Sequence, residues 1–483
     1  MPSQVLICNP PWDQRYHSIR AGSRWPHTQG LESQYAPFPF FQAYATALLK
    51  RSGVTVQVID ALADRLTTEE FWSKYDLVGP SIVLTETSTP SYHADLQFAK
   101  QAKASNRPIV ILAGTHVSTY PEAALSDPNV DVVLRGEYEY SALETITSIL
   151  DGKDLTQVEG IGLKKNGKAI LTEKRPLLKD LDALPWPDRD LYNLDSYYDP
   201  LVPRPQVQML ASRGCPFRCI FCLWNQVLYE ERLRSRAPES VLDEMSYIVH
   251  RYRPRSIYFD DDCFTSMEKN KILRLCALLN DHPLGVEWGC MGHVSTVDRE
   301  MLRAMSKAGC RAIKFGIETA NQGILQAASK GMTPLIAKKA VKMANEVGIR
   351  THATFVFGLP GETKKTILQT IRFVKELRPD TAQFSIAVPF PGTSFFEMAR
   401  ANDWLITSDW RAYDGSRFSA IRMNDLEPRD LERAVEKAYR ELCGHGIFGR
   451  SFDAAAEFLH LCQTKGLRYA LGRVNAKICH VER

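Results

Sequence analysis

The sequence predicts two successive α/β domains followed by a helical segment. Apolar runs rich in β-branched residues alternate with helical stretches in two separate sets along the 483 residues. A proline-rich stretch lies between the two sets. Alternation of this kind is typical of parallel sheets covered by helices. We therefore expect α/β domains at 1–150 and 205–400, a connector at 151–204 and a helical extension at 401–483.

Composition is ordinary for a globular protein of several domains. The net charge of +4 includes no run of basic residues, so nucleic acid is not an implied partner. No stretch of eighteen apolar residues occurs, and the N-terminus leads into a strand rather than a signal peptide. The eleven cysteines are an odd number, which favours reduced thiols over disulfides. We predict a cytoplasmic enzyme without a transmembrane segment.

The first domain contains five apolar runs that we predict to be parallel strands, at 5–8, 54–59, 77–84, 109–113 and 130–134. Helical stretches are predicted at 38–51, 94–104 and 140–150. Continuous apolar strands separated by helices indicate a doubly wound, Rossmann-like sheet. Ligands of such sheets bind beyond the carboxyl ends of the strands.

Glycines and polar residues follow three of these predicted strands. Because the carboxyl ends of parallel strands meet at one edge of a sheet, we expect these residues to form one ligand site. A flavodoxin-like domain with a nucleotide ligand, or with none, is the alternative. The candidate residues are Thr85, Gly114, Thr115, His116, Gly136 and Glu137.

The connector contains one clear local signal. Residues 161–170 are typical of a β-hairpin, because Asn166-Gly167 is a strong turn dipeptide between two apolar runs. Prolines at 185, 187, 200, 203 and 205 then predict an extended passage between the two domains.

Three cysteines lie within eight residues, directly after a predicted strand at 207–211. The spacing of Cys215, Cys219 and Cys222 allows one loop to turn all three sulfurs toward one point. Closed zinc sites and standard iron-sulfur clusters take four ligands, and the neighbouring residues offer no fourth Cys or His. A cubane held by three cysteines leaves one iron open. A zinc knuckle completed by a distant residue, or chance clustering of buried cysteines, is the alternative.

This loop resembles the CxxxCxxC signature of radical S-adenosylmethionine (SAM) enzymes, including an aromatic residue, Phe221, before the last cysteine. The resemblance implies a [4Fe-4S] cluster on the three cysteines, with SAM chelating the open iron. It also implies reductive cleavage of SAM to a 5′-deoxyadenosyl radical, with electrons from a donor such as flavodoxin or ferredoxin. The other cysteines lack ligand spacing, and we interpret most of them as small buried hydrophobes, namely Cys8, Cys263, Cys276, Cys290, Cys310, Cys443, Cys462 and Cys479.

The second domain repeats strand and helix six times. Strands are predicted at 207–211, 256–259, 285–291, 312–317, 351–357 and 382–388. Helices are predicted at 238–252, 267–280, 299–307, 334–346 and 364–376. Six such units resemble the partial (β/α)6 TIM-type barrel of radical SAM enzymes. In barrels the chemistry lies at the carboxyl ends of the strands.

The resemblance implies SAM contacts at these strand ends. In the run 260–262 it assigns Asp261 to the amino group of SAM, with Asp262 close behind. Glu318 lies in a segment similar to the family's Gly-Ile-Glu-Ser and would lie near the SAM ribose and amino group. Gly358 would let the backbone approach adenine. Taken singly, each strand end also fits ordinary strand-to-helix punctuation.

Together with residues 9–11, the strand ends of the first domain resemble the cobalamin-binding domain that precedes the barrel in one class of radical SAM enzymes. The resemblance implies that the six candidate residues of the first domain contact cobalamin. The chain lacks the Asp-x-His-x-x-Gly motif that supplies a histidine to cobalt in other cobalamin domains. We therefore expect His116 to lie near the corrin without ligating cobalt.

The two resemblances imply a cobalamin-dependent radical SAM enzyme, preferably a methyltransferase acting on an unactivated carbon. The substrate class is a small molecule, or a lipid or tetrapyrrole, and no catalytic residue is assigned. Alternatives are cyclisation or oxidation without methyl transfer, a non-catalytic cobalamin- or redox-sensing module, and a structural zinc protein. In the extension, helix is expected at 428–442 and further on through Phe458 and Leu459.

Overall fold

A computed structural model of the protein describes residues 5–11, 16–18, 28–30, 37–415, 418–423 and 426–443. Within these residues, two large sheets of seven and six strands are each packed against helices. The helical stretch expected through Phe458 and Leu459 lies outside the described residues.

The first sheet has the order β4-β1-β5-β6-β7-β8-β9, and its first five members are parallel. Its strands are β1 (Val5–Asn9), β4 (Val56–Asp60), β5 (Ile82–Glu86), β6 (Ile109–Ala113), β7 (Val132–Leu134), β8 (Ile161–Lys165) and β9 (Lys168–Leu171). A separate antiparallel pair is formed by β2 (Tyr16–Ser18) and β3 (Thr28–Gly30). The five predicted strands and their parallel arrangement are confirmed.

The helices of the first domain are α1 (Phe40–Arg51), α2 (Thr68–Val78), α3 (Tyr92–Ser105), α4 (Thr115–Thr119), α5 (Pro121–Ser126) and α6 (Glu139–Leu150). The strand expected at 77–84 starts later, because Leu77 and Val78 end α2 and Gly79 caps that helix in the left-handed conformation. A capping box formed by Thr67 and Glu70 marks the start of α2, so this helix had a readable signal.

The predicted hairpin at 161–170 is confirmed, with Asn166 and Gly167 both at positive φ in its turn. It does more than connect the domains. Strand β8 pairs antiparallel with β7, so the first sheet continues to Leu171. Pairing covers the edge of β7 that would otherwise expose unpaired backbone groups.

The second sheet is entirely parallel, with neighbours in chain order: β10-β13-β14-β15-β16-β17. Its strands are β10 (Gln206–Met209), β13 (Ser256–Phe259), β14 (Glu287–Gly292), β15 (Cys310–Glu318), β16 (Arg350–Phe357) and β17 (Thr381–Ile386). The six predicted strands are confirmed, and their order is that of a barrel wall with β10 and β17 as its edges. A short antiparallel pair, β11 (Ser212–Arg213) and β12 (Arg234–Ser235), brackets the cysteine loop.

Helices of the second domain cover the outer side of this wall, where Ile313, Phe315 and Ile317 of β15 join the main apolar core. They are α7 (Leu223–Val227), α8 (Pro238–Tyr252), α9 (Lys269–Asp281), α10 (Arg299–Lys307), α11 (Gln322–Ala327), α12 (Pro334–Glu346), α13 (Lys364–Leu377), α14 (Ser394–Ala401) and α15 (Pro428–Cys443). The helix expected at 428–442 is confirmed as α15. It packs on β17, where the Tyr439 hydroxyl accepts a hydrogen bond from the Phe384 amide at 3.1 Å.

The two domains share an apolar interface beside the cysteine loop. The ring of Phe41 from α1 lies 5.5 Å from Trp224 and 6.3 Å from Tyr229, both of which follow the loop. The Thr119 hydroxyl at the end of α4 donates to the Pro391 carbonyl at 3.5 Å. The carboxyl edge of the first sheet therefore packs beside the mouth of the barrel. None of the helices in the described residues has the length and apolarity needed to cross a bilayer.

Candidate functional site

The three cysteines of the signature lie in the loop between β11 and α7. The side-chain amide of Gln226 donates to the carbonyls of Cys219, Ile220 and Cys222 at 3.1, 3.0 and 3.0 Å. One side chain thus holds the second half of the loop in a tight turn. The first half is held by Asn225, whose Oδ1 accepts a hydrogen bond from the Cys215 amide at 3.0 Å.

Cys219 is buried, Cys215 and Cys222 are partly buried, and the three thiols interact with one another. Burial raises the pKa of Cys219, although Lys330 opposes this, and burial with Asp262 raises the pKa of Cys222 to about 12. Such thiols stay protonated until a cation displaces the proton. In the described part of the chain no three His, Cys, Asp or Glu side chains are spaced to hold a single metal ion. The ligands of a cubane cluster lie farther apart than those of a single ion, so three thiols on one loop fit a cluster.

A fourth thiol, which the sequence analysis interpreted as a buried hydrophobe, reaches this loop. Cys263 is 3% exposed, and its thiol interacts with that of Cys215. The Ser266 hydroxyl donates to the Cys263 sulfur at 2.8 Å. The available signal was its position, since Cys263 directly follows the acidic run at the end of β13.

The acidic run holds the start of the cysteine loop. Asp261 is fully buried and accepts hydrogen bonds from the Ser212 hydroxyl at 2.5 Å and the Ala211 amide at 3.2 Å. Asp262 accepts from the Gly214 amide at 2.9 Å. The carboxylates of Asp261 and Asp262 thus connect β13 to β10, β11 and the loop.

Glu318 forms a buried ion pair with a residue that the sequence analysis missed. The ammonium of Lys330 lies 2.6 Å from Glu318 Oε1, and both side chains are less than 10% exposed. Glu318 has a φ of 67°, which is strained for a residue other than glycine. Lys330 also interacts with Cys219 and lies 5.9 Å from the centre of the Phe221 ring. This pair therefore lies between the end of β15 and the cysteine loop.

Gly358 follows β16 with a φ of 95°. A Cβ atom there would lie 3.1 Å from Leu431 Cδ1, so the missing side chain lets α15 approach the strand end. Four residues on, Glu362 is buried, and burial raises its pKa to about 7.

The candidate residues of the first domain are brought together at the carboxyl edge of its sheet. A Cβ at Gly114 would lie 2.7 Å from the Thr87 carbonyl, so this glycine lets β5 and β6 approach at their ends. The hydroxyls of Thr85 and Thr87 are buried and have no hydrogen-bond partner among the described residues. Unpaired buried hydroxyls beside a glycine cradle fit a polar ligand at this edge.

His116 lies among aromatic rings rather than at an open surface. Its ring centre is 4.3 Å from that of Tyr92 and 5.4 Å from that of Trp410. Its Nδ1 lies 3.2 Å from the Thr89 hydroxyl oxygen. Burial lowers the pKa of His116 to about 3, so the ring is neutral at physiological pH. Thr115, at the start of α4, is also buried.

Gly136 and Glu137 follow β7 but differ in surroundings. Space around Gly136 is open, because a Cβ there would meet nothing within 4 Å. Glu137 instead faces the cysteine-loop strands, 3.2 Å from Arg213 and 2.7 Å from Arg234. Burial favours the neutral form, but the two guanidinium groups hold the pKa of Glu137 below its usual value.

Comparison with known proteins agrees with both domains. Residues 209–374 match the model of the Radical SAM superfamily, and residues 32–145 match that of the B12 binding domain. An uncharacterised methyltransferase of Pyrococcus horikoshii is 33% identical over 404 residues, which cover 83% of this chain and 86% of the relative. The chain belongs to the cobalamin-dependent radical SAM family. The cofactors of the enzyme are a [4Fe-4S] cluster, SAM and cobalamin.

Other relatives of the enzyme extend the comparison. The anaerobic magnesium-protoporphyrin IX monomethyl ester cyclase of Rubrivivax gelatinosus is 30% identical over 406 residues, covering 82% of this chain and 69% of the cyclase. The structure of the radical SAM methyltransferase TsrM from Kitasatospora setae, with cobalamin and cluster bound, aligns with a TM-score of 0.68 at 18% identity over 92% of this chain and 89% of TsrM. The cobalamin-dependent SAM radical enzyme OxsB aligns with a TM-score of 0.70 at 14% identity over 100% of this chain and 71% of OxsB. These two structures support the fold.

Proposed function

We propose that the enzyme transfers a methyl group to an unactivated carbon of a small-molecule, lipid or tetrapyrrole-type substrate. The observation that carries this proposal is that the carboxyl edge of the first sheet packs beside the mouth of the barrel. Arg213 lies two residues before Cys215 and pairs with Glu137 and Glu139 at the end of β7. A substrate bound between this edge and the barrel mouth would meet both cofactors. The relative named as a methyltransferase, 33% identical to this chain, supports the same reaction.

When bound, the cluster with SAM supplies a carbon-centred radical that abstracts hydrogen, and cobalamin supplies the methyl group. In the proposal Cys215, Cys219 and Cys222 hold the cluster as thiolates. The Lys330–Glu318 pair is complementary to the carboxylate and amino groups of the methionine part of SAM. Binding that zwitterion would exchange one buried ion pair for two, so both charges stay compensated.

Further SAM contacts are assigned to Phe221, Asp261 and Gly358. Phe221 is buried at the foot of the loop, and Asp261 holds the loop through Ser212 as well. Gly358 is assigned from its place at the end of β16, beside α15.

Cobalamin contacts are assigned to the edge of the first sheet, within residues 1–150. The unpaired hydroxyl of Thr85 and the open space at Gly136 support this assignment, and Gly114 and Thr115 complete the set of contacts. Glu137 belongs to this edge indirectly, because Arg213 and Arg234 hold its carboxylate. His116 does not ligate cobalt in this proposal, since its ring is covered by Tyr92 and Trp410.

The proposal includes an electron donor of the flavodoxin or ferredoxin type and a cytoplasmic location. Arg218, in the middle of the cysteine loop, has a side chain that is 79% exposed, so the outer side of the loop is accessible to a donor. The eight cysteines from Cys8 to Cys310 are free thiols, which is typical of a reducing compartment.

Reaction with methyl-labelled SAM tests the proposal. The cluster- and cobalamin-loaded enzyme is incubated with a reductant and a panel of candidate substrates that includes tetrapyrroles. We expect labelled product together with 5′-deoxyadenosine. Label that stays in methionine for every substrate turned over would contradict methyl transfer.

The second candidate function is cyclisation or oxidation without methyl transfer. It is favoured by the 30% identity to the cyclase of Rubrivivax gelatinosus. The same experiment distinguishes the two, because a cyclase yields 5′-deoxyadenosine and an altered substrate that carries no label.

A further inference from the structure

Four buried charged side chains connect the two domains next to the cysteine loop. Glu137 and Glu139 follow β7 of the first sheet, whereas Arg213 and Arg234 lie on β11 and β12. Arg213 pairs with Glu137 at 3.2 Å and with Glu139 at 2.5 Å. Two guanidinium nitrogens of Arg234 donate hydrogen bonds to the Glu137 carboxylate, at 2.7 and 2.8 Å. We refer to these four residues as the interdomain ion network.

The network is balanced in charge and closed to solvent. Two carboxylates face two guanidinium groups, and none of the four side chains is more than 11% exposed. Buried pairs of this kind contribute little net stability compared with apolar residues. Arg213 and Arg234 both donate directed hydrogen bonds to Glu137, which fix geometry, whereas the contact of Arg213 with Glu139 is an ion pair without a hydrogen bond. A positional role therefore explains the network better than a purely stabilising role.

Two aromatic rings of the first domain lie against the guanidinium of Arg213. Its central carbon lies 5.0 Å from the ring centre of Phe41 and 4.9 Å from that of Tyr44, both on α1. The main chain of Arg213 continues directly into Gly214 and Cys215. Any shift of the first domain at this point therefore moves the base of the cysteine loop with it.

The second arginine lies on β12, the strand that pairs with β11 at the start of the same loop. Arg234 pairs with Arg213 across the β11–β12 ladder and also donates to the Leu178 carbonyl of the connector at 2.8 Å. Both strands that bracket the cysteine loop are thus tied to the first domain through Glu137.

We propose that the interdomain ion network is a positioning device that fixes the cysteine loop relative to the carboxyl edge of the first sheet. Resting on the proposed function, it sets the path of the methyl group from SAM to cobalamin. Reductive cleavage of SAM needs only the loop and the barrel, so it does not depend on the network. Methyl transfer joins groups held by different domains, so it depends on the network.

The test compares Arg234→Gln and Arg234→Lys with the wild-type enzyme, all loaded with cluster and cobalamin. Titanium(III) citrate reduces cobalamin to the cobalt(I) state, which takes a methyl cation from SAM and leaves S-adenosylhomocysteine. Cleavage by one electron instead yields methionine and, after uptake of a hydrogen atom, 5′-deoxyadenosine. Arg175→Gln is the matched control, because Arg175 is 18% exposed and its partners Glu144 and Ser141 both lie on α6.

In Arg234→Gln we expect formation of S-adenosylhomocysteine to fall about tenfold to a hundredfold, because a small displacement between reacting groups lowers the rate by about that factor. Formation of 5′-deoxyadenosine, and iron and cobalt per chain, stay at wild-type values. Arg234→Lys restores part of the loss, because lysine keeps the charge but not the two-pronged contact. In the protein without cofactors, residues 212–214 and 234–235 exchange deuterium faster in Arg234→Gln than in Arg175→Gln.

Equal effects of Arg234→Gln and Arg175→Gln would overturn the inference. Loss of cobalt at unchanged iron would also overturn it, because the network would then retain cobalamin directly. Loss of iron would do so too, since the network would maintain the loop itself. A wild-type enzyme that forms 5′-deoxyadenosine but no S-adenosylhomocysteine contradicts the proposed methyltransferase, and deuterium exchange then decides the positioning role independently.

Discussion

Charged side chains buried beside the cysteine loop determine which ligands this site can bind. Lys330 and Glu318 compensate each other 2.6 Å apart in a site where neither is exposed to bulk water. An uncompensated charge at that place would be costly, because little water is available to solvate it. A ligand that carries both charges can enter this pair, whereas a ligand with one charge leaves an unpaired partner.

Lys330→Met tests this pairing. We expect the dissociation constant of SAM to rise at least about tenfold, since removal of one partner of a buried charge pair costs about 2–5 kcal/mol. The iron content should stay unchanged. Equilibrium dialysis with labelled SAM measures the effect, with Lys338→Met as control because Lys338 pairs with Glu376 at the surface. Undiminished SAM binding in Lys330→Met would remove this residue from the SAM site.

The cluster ligands are tested by single serine replacements. Cys215→Ser, Cys219→Ser and Cys222→Ser should each lose the iron-sulfur absorption and the bound iron. Cys263→Ser should retain both, although its thiol contacts that of Cys215. It is a sharper control than the remote Cys276. Loss of iron in Cys263→Ser would show that four thiols, not three, hold the cluster.

Glu86 gives a pH-dependent prediction. Burial raises its pKa to about 8, although the Tyr138 hydroxyl, which donates to it at 2.9 Å, opposes this shift. Between the usual pKa of a glutamate and 8 the folded protein binds more protons than the unfolded chain, so stability falls as the pH rises. Glu86→Gln removes this loss, and its free energy of unfolding relative to wild type should rise by about 1.4 kcal/mol per pH unit in that window.

Urea unfolding of both proteins across this pH range measures the difference. Glu122→Gln is the control, because Glu122 on α5 is exposed. A stability difference that does not change with pH would mean that the carboxyl of Glu86 is ionised in the folded protein.

At the scale of elements, short connections between strands and helices position the residues assigned to the cofactors. The cysteine loop runs from β11 to α7, and both of its ends are tied to other elements: the Gly214 amide donates to Asp262, and Gln226 on α7 accepts from the Ser394 hydroxyl. The loop can pass so close to the backbone at Arg232 only because Gly214 lacks a side chain. The ends of β5 and β6 approach at Gly114 for the same reason.

Gly214→Ala tests the geometry of this loop. A Cβ there would lie 2.0 Å from the Arg232 carbonyl, and the φ of 82° already disfavours alanine. We expect a loss of about 3 kcal/mol or more in stability and a lower iron content, because backbone must move. Gly167→Ala is the control, since its φ is 75° but nothing lies within 4 Å; it should cost only about 1–2 kcal/mol. Equal losses would contradict the close approach.

At the scale of the whole molecule, the parallel strands of the two sheets present their carboxyl ends to a common region. The apolar interface around Phe41, Trp224 and Tyr229 holds them there beside the cysteine loop. The arrangement explains how two cofactors bound by separate domains can act on one substrate.

Cobalamin binding tests this arrangement. Protein loaded with hydroxocobalamin should retain cobalt without a spectroscopic signal of a histidine ligand, because His116 is enclosed by Tyr92 and Trp410. His116→Ala should weaken retention at most and leave the cobalt spectrum unchanged. Absorption spectra measure cobalamin retention, and electron paramagnetic resonance after one-electron reduction to cobalt(II) reports the ligand of cobalt. A nitrogen-ligand splitting that disappears in His116→Ala would contradict the assignment.

Much of the fold was predictable because its signals are local. Apolar periodicity located five parallel strands of the first sheet and all six strands of the second. The helix α2 was missed although it carries a capping box, and the hairpin was recognised without its place in the sheet. Recognising a turn needs only neighbouring residues, whereas the partner of β8 is set by which edge the folded sheet leaves open.

The sequence by itself determined which chemistry the chain carries, because three thiols spaced for one loop keep that relation wherever the loop lies. Tertiary structure alone decided which side chains surround them. Cys263 reaches Cys215 from another strand end, Lys330 reaches Glu318 around a helix, and Glu137 reaches Arg213 from the other domain. The physical reason is that periodicity reveals which face of a strand is buried, but the group across from that face depends on how whole layers pack.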